Sequence, residues 1–369
     1  MSDPMVRRFL QEQQERGVFP GSRYLVARGR EVLDEGFLGN SVITPERIPT
    51  AEDTLFDLAS LTKPLVTGAL AALLASHGRL RLDSALEEYL PETAGRWIGR
   101  VTLLDLLAHR SGLPAWLPLY LTVSDRPGYL REIASLMPEY RTGARVTYSC
   151  LGYILMALVL ERVSDLALDE LAGREIFLPL GLQQTFFRPA PGLRPRIAAT
   201  ETGNRREEEM AGEAGRGFPG WRQGVLWGEC HDLNAFTLGG VSGNAGLFSS
   251  ARDLHVMALE LLGSGSGLYD EQSLGLLRSD LTPGLNENRS VGWQLARTPD
   301  CSAGPLLSPE AIGHTGFTGT SIWIDPGGGW ILILLTNRVH PHYRPDDMNA
   351  VRRQFHRRAL GRERCKQEV

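Results

Sequence analysis

Thr54-Leu55-Phe56-Asp57-Leu58-Ala59-Ser60-Leu61-Thr62-Lys63 runs straight into an Ala/Leu-rich segment that stops at Gly78. The apolar run predicts a helix over residues 61–77, with Ser60 at its start. A serine and a lysine three residues on share one helix face, a turn apart. The serine hydroxyl then lies at the positive end of the helix, where backbone N–H groups are unpaired. A serine hydroxyl is a weak nucleophile until a base takes its proton, and a desolvated lysine can be that base. The plainer alternative is an N-cap serine followed by a surface lysine. Composition favours the chemical reading: of 39 basic residues, Lys63 and Lys366 are the two lysines. Arginine does not release its proton in a protein, whereas lysine does.

Outward from this stretch, the pattern is helical as far as residue 180. A short apolar helix is predicted over 103–108 and a buried one over 151–163, apolar nearly all round. Upstream, residues 4–17 read as a polar-faced helix, and 22–28 and 31–38 as a β-hairpin about Gly29-Arg30. Residues 186–245 carry glycine, proline and charge with little periodicity, a long loop region of the kind that tends to be functional. A helix resumes over 252–262. Strands follow over 291–297, 320–324 and 330–336, then a terminal helix over 346–360. The expected fold class is α+β: an antiparallel sheet from both chain ends, flanked by terminal helices, with a mainly helical insertion. The corresponding division is 1–60 with 285–369 for the sheet region and 61–284 for the helical one, with a cleft between them.

The chain has 369 residues, 42% of them hydrophobic and 22% charged, with a net charge of −4. That balance excludes disorder and coiled coil and gives no electrostatic case for a nucleic-acid partner. Cys150, Cys230, Cys301 and Cys365 have neither zinc-ligand spacing nor the density of a disulfide framework. Residues 1–17 contain no apolar run before a small-residue cleavage site, and the strongly apolar runs near 68–75 and 151–160 are too short to span a bilayer. These features predict a cytoplasmic protein with reduced thiols and no membrane span. They leave its oligomeric state open.

Two further triplets can carry chemistry. Tyr148-Ser149-Cys150 precedes the buried helix, where a phenol can point into a cleft. His314-Thr315-Gly316, followed by Phe317-Thr318-Gly319-Thr320, offers a strand edge with small residues that a ligand backbone can approach. Other residues receive plain readings. His109 is expected to be a structural loop histidine and Asp83 a helix cap. Cys230-His231-Asp232 are adjacent residues not expected to converge on a metal, and His340-Pro341-His342 is similarly weak. Arg352, Arg353, Arg357 and Arg358 are read as a solvated helix face. Gly239, Gly240 and Gly243 lack the strand–helix setting of a nucleotide loop.

Together, Ser60-x-x-Lys63, Tyr148-x-Cys150 and His314-Thr315-Gly316, in that order, resemble the motifs of the penicillin-recognising serine hydrolases. That superfamily includes class C-type β-lactamases, D-alanyl-D-alanine peptidases and related esterases. The stretches Gly78–Asp83 with Tyr89-Leu90-Pro91, Leu106–Pro114 and Gly239–Ser249 also resemble it, particularly its penicillin-binding protein 4-like branch. The likeness covers roughly residues 20 to 340. It implies a β-lactamase/transpeptidase-like fold and an acyl-enzyme on Ser60, with Lys63 and Tyr148 sharing the proton work. It further implies an oxyanion site from the N–H groups of Ser60 and Phe317, with His314, Thr315 and Gly316 lining the substrate cleft. His314 is expected to hydrogen-bond Tyr148 or a substrate carboxylate. No cofactor or metal is implied, and the partner is a small-molecule or short-peptide substrate. Cys150 departs from the pattern, because the family usually has an amide there that orients the lysine and the substrate. A thiol hydrogen-bonds weakly. The resemblance therefore leaves two readings open: an ester- or amide-cleaving hydrolase, or a ligand-binding protein with weak or lost turnover.

Overall fold

Alternation along β1 (Gly21–Arg28) builds two cores at once. Tyr24 and Val26 face one way and Leu25 and Ala27 the other, as period-two side chains must. Gly29, with φ +56°, turns the chain tightly into β2 (Glu31–Val42). The computed structural model describes residues 4–367 of the chain. Its main sheet has seven strands. They are β1 and β2, β3 (Ile48–Pro49), β7 (Gln294–Leu295), β8 (Ile312–Thr315), β9 (Ser321–Asp325) and β10 (Trp330–Thr336), in the order β3-β2-β1-β10-β9-β8-β7. The pairings are antiparallel throughout, and β1 runs beside β10 with Tyr24 opposite Leu334. The sheet thus unites the two ends of the chain, as the sequence predicts.

One face of the sheet carries the helices Pro4–Glu15 and Met348–Gln367, through Val6, Leu10, Val351 and Phe355. The other face carries the helical region, through Ile322, Ile324, Ile331 and Ile333. Burying such a side chain contributes about 1.5–3 kcal/mol. A second, small sheet joins β4 (Phe56–Asp57), β5 (Phe186–Phe187) and β6 (Leu247–Ser249) in the order β4-β6-β5. It ties the segment before Ser60 to the long loop region.

The helix expected over 61–77 is one apolar helical run, Ala59–Ser76, of three kinds. It opens as a 3₁₀ turn (Ala59–Leu61), widens to π over Lys63–Gly68, and becomes α over Ala69–Ser76. At 18 residues it is longer than the sequence reading allowed, and long and apolar enough to cross a membrane, but 83% of it is buried inside the protein. It is the central helix of the larger core.

Three local expectations need correction. Of the strand expected over 291–297, Gln294–Leu295 pairs with β8, because the chain turns at Gly292 and Ser290 N–H bonds back to Trp293 O. β8 is a strand the pattern hides: its Gly313 has room only for hydrogen, since a Cβ there would stand 2.1 Å from the Trp323 ring. Asp83 is exposed and near Arg81 rather than capping a helix, and Ala85 is the N-cap of Leu86–Tyr89.

Gly243 shows how tightly the segment before β6 packs on the core. A Cβ there would meet Tyr153 O at 2.1 Å, whereas one at helical Gly173 would meet nothing within 4 Å. Gly243→Ala should lower stability by about 1–3 kcal/mol through overpacking, and Gly173→Ala should leave it unchanged or raise it by about 0.5–1 kcal/mol. Urea denaturation of both variants checks the pair. Equal midpoints would mean that the segment gives way freely.

Candidate active site

Ser60 sits on a turn held from three sides. Asp57 accepts the Ala59 N–H on Oδ1 (2.8 Å) and the His231 N–H on Oδ2 (2.8 Å). Thr318 Oγ1 donates to Asp57 O (2.7 Å) and Thr320 Oγ1 to Leu58 O (3.0 Å). These bonds hold Ala59 at φ +47°, a left-handed conformation that costs an L-residue about 1–2 kcal/mol. Gly316 lies directly over the turn, where a Cβ would stand 2.4 Å from Leu58 O. The exit of β8 and the serine turn are thereby fixed against each other. Ser60 N–H lies in the first helical turn, where no intrahelical acceptor exists. Phe317 N–H, just past β8, has no backbone acceptor among the described residues.

Lys63 is completely buried. Its Nζ donates to Ser60 Oγ (3.0 Å) and to Asn244 O (2.9 Å) and lies 4.9 Å from the centroid of the Tyr148 ring. Burial alone would lower its pKa. The Cys150 thiol and Tyr148 phenol beside it, through their ionised forms, more than offset this, and the net shift is upward. The resting group is therefore an ammonium. Burial raises the Tyr148 pKa and the Cys150 pKa, with Lys63 opposing in both cases. Tyr148 is buried and lines the cavity, its hydroxyl close to Lys63 and Ser60.

Tyr148 and Cys150 flank the N-cap of helix Cys150–Ser164. Ser149 Oγ caps it by accepting from Gly152 N–H (3.4 Å) and also donates to Pro114 O (2.7 Å). Ser149 N–H donates to Nδ1 of His109 (3.0 Å). His109 is a structural loop histidine, as its sequence setting suggests. It is buried with φ +59°, and its ring packs tilted against that of Tyr148, centroids 4.6 Å apart. It positions the tyrosine loop. His314 does not hydrogen-bond Tyr148: its Nδ1–H donates to Thr315 O (2.9 Å), and its ring lies 5.7 Å from that of Tyr148. Burial, with Arg289 and Lys63 adding to it, holds both histidines far below the usual imidazole pKa, and so neutral.

Ser60, Tyr148, Cys150, His314, Thr315, Gly316 and Phe317 line one cavity of about 490 Å³, and Lys63 lies beneath it, bonded to Ser60. The sequence reading missed the opposite wall. Glu207, His231 and Asp232 line the same cavity, and His231 Nε2 meets Glu201 Oε2 at 3.0 Å, both buried. Burial works against the His231 charge, but Glu201 outweighs it and its pKa rises. Adjacency in sequence misled here, because a bend before helix Leu233–Thr237 lets both side chains reach the cavity. Glu207 sits in Arg205-Arg206-Glu207-Glu208-Glu209, which looks like a solvated helix. Arg352 also departs from its reading: it is buried, donates to Gly316 O (3.2 Å) and Thr320 O (3.0 Å), and burial lowers its pKa to about 9. Among the described residues, no three His, Cys, Asp or Glu side chains are grouped to hold a metal. Cys150, Cys230 and Cys301 are free thiols.

Comparison with known proteins bears on this cavity. The beta-lactamase family model matches residues 6–356. A candidate D-alanyl-D-alanine carboxypeptidase of Escherichia coli K12 is 32% identical, over 90% of this chain and 81% of that one. An N-acetylmuramyl-L-alanine amidase of Bacillus subtilis is 31% identical, over 87% and 78%. The crystal structure of a class C beta-lactamase from Rhodobacter sphaeroides superposes with a TM-score of 0.72 at 20% identity, covering 98% of this chain and 99% of that one. A hydrolase with promiscuous acyltransferase activity superposes at 0.74, also at 20% identity, covering 97% and 98%. At such identities these two structures establish likeness of fold.

The neutral His109 gives a pH-dependent stability term. An unfolded histidine takes up a proton near pH 6.5, and the folded site refuses it. The term is present in full above that pH and is lost as pH falls toward the depressed folded value. His109→Gln should therefore lose less stability than the wild type between about pH 7 and about pH 5. His231, with its raised pKa, contributes in the opposite sense in both proteins and cancels from the comparison. Urea midpoints across that range test this, and parallel curves would remove His109 as the source.

Proposed function

The chain belongs to the beta-lactamase family of serine hydrolases, and on that footing we propose that Ser60 attacks the carbonyl of an ester or amide and becomes acylated. The observation that carries this reading is the 3.0 Å hydrogen bond from the fully buried Lys63 Nζ to Ser60 Oγ. A surface lysine beside an N-cap would have no reason to be buried there. The same bond weighs against a protein that merely holds a ligand.

In this mechanism Lys63 and Tyr148 act as one proton-sharing unit, since two interacting groups titrate together. The unit loses a proton to become active. It then accepts the Ser60 hydroxyl proton as Oγ bonds to the carbonyl carbon, and passes it to the leaving alcohol or amine. Water attacks the acyl-enzyme by the reverse route and releases the acid. The N–H groups of Ser60 and Phe317 would hold the oxyanion, where one donor is typically worth about 3–4 kcal/mol. His314, Thr315 and Gly316 would form the wall along which substrate lies. Cys150 supplies a thiol where an amide would orient an acyl-amide group. We therefore propose simple esters as better substrates than β-lactams.

A fluorophosphonate should add once, on the peptide containing Ser60, as read by mass spectrometry. A label that persists in Ser60→Ala would defeat the mechanism. Lys63→Arg keeps the charge and removes the reversible proton, so turnover of p-nitrophenyl acetate should fall by at least about 10²-fold, with native circular dichroism. Wild-type rates in that variant would make Lys63 a purely electrostatic residue.

Cys150→Asn should raise nitrocefin turnover more than p-nitrophenyl acetate turnover, because a well-placed hydrogen bond to a charged or amide partner contributes about 1.5–3 kcal/mol. Parallel assays decide it. Equal changes on both substrates would show that the thiol does not govern selectivity.

A further inference from the structure

The amide between Gly316 and Phe317 carries one of the two N–H groups assigned to the oxyanion, and its carbonyl end is already occupied. The chain turns there: Gly319 N–H donates to Gly316 O (3.1 Å), which puts Phe317 and Thr318 at the corner. The carbonyls of this turn all have further donors from outside it. Arg352 Nη2 donates to Gly316 O (3.2 Å), Arg338 Nε to Phe317 O (3.0 Å) and Arg338 N–H to Thr318 O (3.0 Å). The Gly316–Phe317 amide is trans, so its N–H and its carbonyl point in opposite directions. The Arg352 guanidinium therefore holds one end of this amide and leaves the N–H at the other.

Arg352 sits near the start of helix Met348–Gln367 and is 4% exposed. Of the basic stretch Arg352, Arg353, Arg357 and Arg358 it is the buried member. Nη2 also donates to Thr320 O (3.0 Å), which accepts the Gly316 N–H as well (2.8 Å), and Nη1 donates to Asn349 Oδ1 (2.9 Å). Burial lowers its pKa to about 9, with Arg338 adding to this and Asp347 opposing, so the group is charged at neutral pH. Asp347 is itself paired with Arg353 (3.6 Å). A buried charge is expensive unless its surroundings meet it, and what meets this one is the backbone of the turn beside Ser60. A charged donor makes a stronger hydrogen bond than a neutral one. Placed on the carbonyl of an amide, it draws electron density from the whole group, and the N–H at the far end becomes a better donor.

We propose that Arg352 is a positioning residue for the oxyanion site: its guanidinium, bound to Gly316 O, orients and polarises the Gly316–Phe317 amide so that Phe317 N–H meets the charge developing on the substrate carbonyl oxygen. The proposal rests on the acyl-enzyme reading and adds a member to its oxyanion apparatus that acts through the amide. As Ser60 Oγ bonds to the carbonyl carbon, negative charge gathers on the substrate oxygen and is met by Phe317 N–H. The amide polarises in response, its own oxygen becomes more negative, and the guanidinium already bound there holds it more strongly. The contact with Arg352 therefore tightens as the tetrahedral state forms, and binding that is stronger in that state than in the ground state lowers the barrier. An arginine that only packed the terminal helix against the sheet would have no such coupling to the reaction.

Replacing the carbonyl oxygen of a substrate by sulfur tests this. p-Nitrophenyl acetate and its thionoacetate analogue undergo the same acyl transfer, but sulfur is the weaker acceptor for N–H donors. With each kcat/KM divided by the rate of the same ester with hydroxide, the wild type should favour the oxygen ester by about tenfold or more. Arg352→Met keeps much of the volume and removes the charge and the donors. It should lower kcat/KM for the oxygen ester by about tenfold or more and the thionoester far less, so that the oxygen-to-sulfur ratio shrinks while circular dichroism stays native. Arg352→Gln keeps neutral donors, should fall between the two, and is judged by the same ratio if Arg352→Met does not fold. Equal losses on both esters, leaving the ratio unchanged, assign Arg352 to packing and overturn the proposal, as do wild-type rates in the variants. A wild type with no oxygen preference removes the oxyanion site and the proposal with it. Failure of a fluorophosphonate to label Ser60 removes the acyl-enzyme reading itself.

Discussion

A charged lysine with no exposure to solvent is the constraint around which this structure is arranged. Desolvating an ammonium costs several kcal/mol unless it is paired or well hydrogen-bonded. Among the described residues Lys63 has no carboxylate within ion-pair distance. Its charge is met by the Asn244 carbonyl, the Ser60 hydroxyl and the faces of Tyr148 and Tyr153. These groups come from three parts of the chain, the Ser60 turn, the stretch from Tyr148 to Tyr153 and the segment at Asn244, so solvating one side chain requires that all three be in place together. Thr67 Oγ1 to Gly243 O and Leu247 N–H to Thr62 Oγ1 bind the same helix to the same segment. The π-turn over Lys63–Gly68 falls on this stretch, consistent with the tendency of such turns to occur at functional sites.

The two-core sheet supplies the rigid edge against which that helix works. Because β9 and β10 are buried on both faces, β8 is fixed in position relative to the core. The Gly316 backbone can then rest on Leu58 without a side chain between them. Phe317 and Ser60 both line the cavity beside this contact. A strained Ala59 is tolerated for the same reason: Asp57, with Thr318 and Thr320 from the turn between β8 and β9, over-determines it. Rigidity here is a product of close backbone approach more than of side-chain bulk.

The other walls of the cavity carry polar side chains. Cys150 places a thiol next to the nucleophile, and Glu207, His231 and Asp232 line the cavity across from it. Arg352 and Arg338 brace the β8 exit through its carbonyls.

Some of this is written locally in the chain. The Ser60–Lys63 spacing, the Gly29-Arg30 hairpin, the alternation of β10 and the apolar helices are each set by a handful of neighbouring residues, so their periodicity declares them. The scarcity of lysine marked the buried one for the same reason: composition is visible without a fold. The opposite wall was not legible. Glu207 reads as one acid in a charged run, His231 and Asp232 as neighbours that ought to diverge, and Arg352 as a solvated face. Their burial and partners come from residues tens to hundreds of positions away. β8 was hidden because Gly313 and Gly316, which weaken a strand pattern, are needed where Trp323 and Leu58 press against the backbone. Local pattern specified the elements and the nucleophile, whereas close packing between distant segments decided which polar groups lost water and faced the cavity.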